Sequence, residues 1–481
     1  VSRDGRRDRR TGLLVIANWR DLDHPEAGGA ELVCQELAAR FAERGENVVV
    51  LAASVAGRPR HERRDGYRIV RGGGRFTVYA HALAWLLRHH GEVGAVIDSQ
   101  NGIPFFTPLA VASRTPIVML LHHVHQDQFG AYFSAPVAAL GRWLESSASR
   151  RVYGRRAVVA VSPSTRTDAR RRLGLRGSLW VAPPGLAVDS ARGVARSEHP
   201  SVVSVGRLVP HKQVNQVISA LPAVLERHPA LTVTFIGRGS EREGLLRLAE
   251  DLGVAHAVDI RGDLDDEARD RALAGAWMSV NASEGEGWGL SVVEANAQGV
   301  PVLAFRRRGL RDSIVDGETG WLIDEGGDLA AALADRLDEL DDARTAAQYA
   351  RRARDWAATF TWEAMADRIL LALDVEEDRL NASGEGARTL SDAATVLTLP
   401  TEVLPAGWTQ RLRRSDLWIR DGDDVRILCL DTDVVAAEQL VQSLGLAIGS
   451  PQRARVTIEV ARTRDYLSLK RADVRNALAD Q

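Results

Sequence analysis

At 481 residues, 45% hydrophobic and 26% charged, the chain has the length and composition of two to three soluble globular domains. A net charge of −2 supplies no overall basic field for nucleic acid, and no apolar run reaches the roughly 18 residues of a spanning helix. Cys34 and Cys429 are far apart and lack metal-ligand spacing, which excludes a disulfide framework and fits a reducing cytoplasm.

The opening VSRDGRRDRR is charged and is not followed by the apolar core of a signal peptide, so it reads as an N-terminal tail, with contact to anionic lipid left open. Then LLVIAN (13–18) predicts a strand, AGGAELVCQELAARFAERG (27–45) a helix closed by Gly45, and NVVVLAA (47–53) the next strand. GAVIDSQ (94–100), PIVMLLHH (116–123) and RAVVAVSPS (156–164) are further apolar runs ending in polar residues. Runs without alternation, interleaved with helices, predict a parallel sheet covered on both faces. The pattern then begins again, with strands predicted at 201–208, 231–239, 258–264, 277–283 and 300–305.

The fold class is therefore α/β, with two consecutive doubly wound domains and ligands expected at the carboxyl ends of their strands. The expected boundaries are 1–190 and 191–375, with the division inside 183–200 and a helical stretch closing the second domain. Residues 376–392 read as a polar linker. Residues 393–481 read as a small α+β module, with strands at 424–430 and 455–461 around a helix at 434–446, carrying no recognisable chemistry.

Three stretches carry chemistry. The first is VGRLVPHKQV (205–214), where Lys212 is one of only two lysines beside sixty arginines; the other is Lys470. A strand end with Arg207 and Lys212 suits a diphosphate, since arginine makes bidentate contacts and lysine is a compact point charge. The plainer alternative is a solvated helix start. The second is SEGEGWGLSVVEANAQGVPV (283–302), a glycine-rich turn between strand and helix with Glu286 and Glu294 eight apart. Gly287 and Gly289 let a ligand approach the backbone, free amides at the helix start favour anionic oxygen, and the carboxylates can accept sugar or ribose hydroxyls. The alternative is a pair of surface glutamates, against which the apolar LSVVEANA frame argues. The third is EAGGAEL (26–32), a glycine loop opening a helix; it has neither the G-x-G-x-x-G nor the Walker A spacing and is weak on its own.

Together these stretches resemble the retaining glycosyltransferases of family 4, which have the GT-B fold. VGRLVPHK matches the family's V-G-R-L-x-x-x-K, and 283–302 matches E-G-F-G-L-x-x-x-E-A-x-A-x-G-x-P-V. PEAGGAE matches the N-terminal glycine loop and GETGWLI (317–323) the segment G-x-T-G-x-L. The likeness covers roughly residues 12–375 and is greatest to a bacterial branch with NGIPFFTPL (101–109) and HHVHQDQF (122–129).

The resemblance implies two Rossmann-like domains facing across a cleft, a helix with DWAATFTWEAMADRIL (355–370) crossing back to the first domain, and transfer of a hexosyl unit from a UDP- or GDP-linked sugar to an acceptor with retention. Arg207 and Lys212 would hold the diphosphate, and Glu294 the ribose. Glu286, with the amides of Gly287, Trp288, Gly289 and Leu290, would hold the transferred sugar. Gly28 and Gly29 would approach the donor from the first domain, and His122 would stand beside the sugar, with His123 as the fallback. Main-chain atoms around Arg261 would read the base. No metal or other cofactor is implied, so His122, His123 and His125 are read as solvated or substrate-facing groups. Ser162 and Ser164 are read as helix caps, and the acidic DTD at 431–433 as a surface loop.

Two departures concern turn geometry: Lys212 precedes Gln213 where the family often has glycine, and Pro183-Pro184-Gly185 stands where it often has P-N-G. The partners expected are a nucleotide sugar and an acceptor that is a glycan, a lipid-linked intermediate or a small natural product, with no nucleic acid. The expected location is cytoplasmic, with peripheral contact at the inner membrane face left open. The alternatives are a GT-B nucleotide-sugar epimerase, a sugar phosphorylase, or an inactive scaffold whose C-terminal module binds a partner.

Overall fold

The computed structural model describes residues 11–186, 193–381, 393–413, 416–430 and 432–462. Two structural units divide the chain. The first comprises 1–185, 362–446 and 451–481; the second comprises 186–361 and 447–450.

The first unit is built on eight strands: β1 (Leu13–Ala17), β2 (Asn47–Ala52), β3 (His61–Arg64), β4 (Tyr67–Arg71), β5 (Val93–Asn101), β6 (Ile117–His123), β7 (Ala157–Ala160) and β8 (Leu179–Val181). Their order is β3-β4-β2-β1-β5-β6-β7-β8, parallel throughout except for the β3–β4 hairpin. β1, β6 and β7 are buried along nearly their whole length, which explains their unbroken apolar runs. The helix Gly29–Glu43 covers the sheet through Val33, Leu37 and Phe41, a spacing of four that puts them on one face. The sheet reverses its winding between β1 and β5, so polar side chains at their carboxyl ends converge.

The second unit has six parallel strands: β9 (Ser201–Val205), β10 (Thr232–Ile236), β11 (Val258–Arg261), β12 (Met278–Asn281), β13 (Val302–Phe305) and β14 (Gly320–Ile323). The order β11-β10-β9-β12-β13-β14 places the reversal between β9 and β12, whose loops carry the two strongest motifs.

The long helix Trp362–Asn381 belongs to the first unit, so the second unit ends at Thr361 rather than at 375. It buries Met365, Ile369 and Leu373, and its charges pair with the first unit through Arg40–Glu363, Arg44–Asp367 and Arg156–Glu376. It also runs into the stretch expected as a linker from residue 376; residues 382–392 lie outside the described residues.

The C-terminal module is an antiparallel sheet of β15 (Ala393–Pro400), β16 (Leu417–Asp421), β17 (Asp424–Leu430) and β18 (Thr457–Arg462), ordered β16-β17-β15-β18. The helix Val434–Ser443 packs its Ala437 and Val441 into a core with Leu397, Val425 and Ile427. Asp433 is the N-cap of that helix: its Oδ1 accepts from the amides of Val435 (3.0 Å) and Ala436 (2.9 Å), and Arg166 lies 3.1 Å from its Oδ2. It is buried, so at this position the expected surface acidic loop is instead a structural cap; Asp431 lies outside the described residues, as does Lys470.

Candidate active site

In the second unit the loops leaving β9 and β12 diverge and leave a pocket at the carboxyl ends of those strands. Gly206, Arg207, Lys212, Asn281 and Ser283 are among the residues lining it. The segment after β9 is pinned to the neighbouring strand end: the Gly206 amide donates to Ile236 O (3.0 Å) and the Leu208 amide to Arg238 O (2.8 Å). A methyl group on Gly237 would lie 2.1 Å from Gly206 O, and one on Gly239 would lie 1.9 Å from Leu208 O. These two glycines seat the Arg207 loop and went unassigned in the sequence; the legible signal was G-x-G directly after a strand.

Arg207 is exposed, and its guanidinium makes no ion pair or hydrogen bond among the described residues. Lys212 ends a short 3-10 turn, Pro210–Lys212, and its Nζ donates to Glu286 Oε1 at 2.5 Å. Ser283 Oγ donates to the same oxygen at 2.7 Å, so one carboxylate oxygen joins the β9 loop to the β12 loop. The Glu286 amide in turn donates to Arg308 O (2.9 Å). Sequence reasoning found Lys212 and Glu286 separately and missed Ser283. Gly309 was missed as well: its φ is +77°, and a methyl there would lie 2.3 Å from Glu286 O.

Gly289 takes φ +95° as the residue before the helix Leu290–Ala297, a conformation that glycine adopts at little cost. The amides of Leu290 and Ser291, at the first turn, make no hydrogen bond among the described residues and remain available to an oxyanion. Glu294 lies one turn further along and is half-buried, with no hydrogen bond to its carboxylate among the described residues. Burial raises its carboxyl pKa, while Arg269 pulls it back down. The expectation for Trp288 concerns its amide, not its side chain. Its indole is buried edge-on against Phe360, with centroids 4.9 Å apart, so only its main chain can serve a donor. Arg261 is exposed at the end of β11; its Nε donates to Asp259 Oδ2 (2.7 Å) and its carbonyl accepts from the Gly237 amide (3.2 Å).

In the first unit Gly28 precedes the helix Gly29–Glu43, and its amide donates to Glu31 Oε2 (2.8 Å). Its φ of −155° is ordinary, and a methyl there would come no closer than 3.8 Å to that carboxylate. The fold therefore does not itself demand glycine at 28, which suits a backbone kept clear for a ligand. His122 is buried at the end of β6, with Nε2 2.9 Å from Ser99 Oγ. Ser99 Oγ donates to Asn18 Oδ1 (2.9 Å), and Asn18 Nδ2 donates to Arg20 O (2.7 Å). With the Ser99 proton committed to Asn18, the shared contact requires that His122 Nε2 carry the hydrogen and leave Nδ1 as an acceptor. Asn18 and Ser99 were not singled out in the sequence.

The loop beyond β6 is held by Glu145, a fully buried carboxylate that accepts from the His125 amide and from Gln126 Nε2, both at 2.6 Å. His123 Nε2 lies 3.3 Å from Gln128 Nε2. Ser162 caps the helix Pro163–Arg171 through the Thr165 amide (3.1 Å), while Ser164 is buried within the first turn. Among the described residues no group of three or more His, Cys, Asp or Glu side chains is placed to hold a metal ion.

Residues 27–190 match the family model described as Glycosyltransferase Family 4, and residues 189–356 the model described as Glycosyl transferases group 1. A Mycolicibacterium smegmatis relative, named a GDP-mannose-dependent alpha-(1-6)-phosphatidylinositol monomannoside mannosyltransferase, is 31% identical across 54% of this chain and 78% of its own length. The chain belongs to glycosyltransferase family 4.

The D-inositol 3-phosphate glycosyltransferase of Acidothermus cellulolyticus is 31% identical across 60% of this chain and 65% of its own. Among solved structures, a sucrose-phosphate synthase from Thermosynechococcus elongatus superposes with a TM-score of 0.63 at 19% identity, over 76% of this chain and 98% of that one. With the two doubly wound sheets, this makes the fold of the glycosyltransferase GT-B, as the motifs implied. The antiparallel C-terminal sheet lies beyond the residues that the family models match.

Burial takes the His122 imidazole of this glycosyltransferase from its ordinary 6.5 down to about 3, with His125 adding to the shift, so it is neutral across the physiological range. The folded value lies below the unfolded one, so between those two pH values the unfolded chain binds more protons and stability falls as pH falls. The slope this one group contributes is up to about 1.4 kcal/mol per pH unit. Urea denaturation at several pH values should show that dependence in the wild type and a shallower one in His122→Asn; equal slopes would refute the assignment.

Proposed function

We propose that this glycosyltransferase moves a hexosyl unit from a UDP- or GDP-linked sugar to an acceptor hydroxyl, with retention at the anomeric carbon. The observation that carries the reading is the convergence of Arg207, Lys212 and Glu286 at the carboxyl ends of β9 and β12, beside the free first-turn amides of Leu290 and Ser291. In this scheme the anomeric C–O bond to the β-phosphate breaks as the acceptor oxygen bonds on the same face. The acceptor proton passes to the departing phosphate oxygen.

Arg207, Lys212 and the amides would stabilise the charge that builds on that phosphate, a fixed electrostatic role. The protein's own cations would then do the charge balancing, and the scheme calls for no metal. Glu286 would accept hydroxyls of the transferred sugar, and Glu294, with its carboxylate unoccupied by protein donors, the ribose hydroxyls. For His122 a place beside the sugar fits a neutral ring with Nδ1 as acceptor. Relatives named for GDP-mannose and for inositol-bearing acceptors support the GDP arm and a polyol-phosphate acceptor, free or lipid-linked.

The first unit offers a surface suited to a lipid-linked acceptor. The helix Ala135–Trp143 packs inward through Ala138 and Gly141, where a methyl on Gly141 would lie 2.8 Å from the Phe129 ring. Its large residues face outward instead: Val137, Leu140 and Trp143 are 47–55% exposed. Arg75 lies 5.6 Å from both the Phe76 and the Phe133 ring, and Phe76 is itself exposed. From 128 to 167 the sequence has six arginines, and its one acid, Glu145, is fully buried. Exposed apolar side chains among arginines, with no exposed carboxylate along that stretch, suit an anionic bilayer surface. No helix among the described residues is long and apolar enough to cross a membrane.

Two experiments test these readings. Incubation with a panel of UDP- and GDP-sugars and inositol-phosphate acceptors should give an α-linked product by NMR, and Glu286→Ala should lower its rate at least about 100-fold. Equal zero turnover by both proteins across the panel would overturn the catalytic reading. In sedimentation with vesicles, the wild type should bind phosphatidylglycerol-containing membranes and Leu140→Glu/Trp143→Glu should not; equal partitioning would remove the helix from the interface.

A further inference from the structure

Gln213 is one of three non-glycine residues with positive φ among the described residues, at φ 50° and ψ 38°. It is the joint between the 3-10 turn that ends in Lys212 and the helix Val214–Arg227. Glycine would adopt this left-handed conformation at less cost, so the side chain must supply something that offsets the strain. Its contacts show what. Oε1 accepts from Arg307 Nη1 and from Gln216 Nε2, both at 2.8 Å, and Nε2 donates to Glu284 Oε1 at 2.9 Å. Arginine can only donate, so the amide orientation is fixed by chemistry.

Gln216 is on the helix Val214–Arg227, while Arg307 and Glu284 lead to the loop after β12. Arg307 Nη1 also donates to Ser283 O (3.1 Å) and Ala282 O (3.2 Å), and the Glu284 amide donates to His211 O (2.9 Å). Lys212 immediately precedes Gln213, while Ser283 and Glu286, which meet on one carboxylate oxygen, flank Glu284. A single amide side chain therefore joins the two loops that carry Lys212 and Glu286, through its bonds to Glu284 and Arg307.

We propose that Gln213 is a positioning residue for donor binding, a clasp that sets the spacing between Lys212 and Glu286 through Glu284 and Arg307. The inference rests on the nucleotide-sugar reading of that pocket. The clasp does not touch the donor; it fixes the distance between the cation and the carboxylate that do. A tether of this kind narrows the orientations of the two loops before the ligand arrives, so its loss appears in affinity more than in folding.

The test uses calorimetric titration of the full chain with UDP and with GDP, alongside thermal denaturation. Gln213→Gly relieves the left-handed strain but also gives up the three side-chain hydrogen bonds that offset it, so its Tm should stay close to the wild-type value while nucleotide affinity falls about fivefold, in the range of coupling seen between contacting residues. Glu284→Ala, at an exposed position, keeps the backbone intact and should weaken binding in the same direction. The double variant should bind no worse than Gln213→Gly alone, because both break one clasp. Unchanged affinity in Gln213→Gly, or full additivity in the double variant, would overturn the clasp. A wild type that binds neither nucleotide would instead overturn the donor reading itself.

Discussion

The site proposed for the donor depends on one ion pair. Lys212 and Glu286 lie 74 residues apart, on loops that leave β9 and β12, and Glu286 Oε1 takes a hydrogen bond from the lysine and another from Ser283. Both partners are only partly exposed, so the contact is sheltered from the screening that makes most surface pairs weak. An ammonium suits the position because it delivers a point charge from a narrow stem, whereas a guanidinium fork would have to seat a plane there. The lysine that stands out among sixty arginines is thus the residue whose shape the geometry uses.

The surroundings of that pair follow from backbone constraints. Gly237 and Gly239 permit main-chain contact so close that any side chain would displace the Arg207 loop, and Gly309 does the same beneath Glu286. Gln213 shows the opposite solution. A non-glycine residue in the left-handed region costs about 1–2 kcal/mol. Hydrogen bonds return about 0.5–1.5 kcal/mol each, and somewhat more when a charged partner is involved. Three such bonds, two of them to charged groups, offset the strain, so the glutamine is tenable there.

Much of this was legible in the sequence because it is local. The apolar runs at 13–18 and 116–123 became buried parallel strands, the run at 201–208 became a parallel strand over its first five residues, and the turn at 283–290 became the helix start with Gly289 in its left-handed conformation. What escaped was set by contacts distant in sequence. Ser99 reaches Asn18 across 81 residues and fixes the His122 tautomer, a pairing that no spacing rule announces. For the helix Trp362–Asn381 the return to the first unit was expected from the family resemblance, and only the boundary, at Thr361 rather than 375, was not; its apolar face and its arginine partners lie in the first unit.

The central claim is that Lys212 meets the donor diphosphate as a point charge at a spacing an arginine cannot reproduce. Calorimetric titration of Lys212→Arg with the nucleoside diphosphate that the wild type binds tests it most directly. The Kd should be at least about tenfold weaker despite the conserved charge, a difference of about 1.4 kcal/mol. An unchanged Kd in a variant of wild-type thermal stability would contradict it.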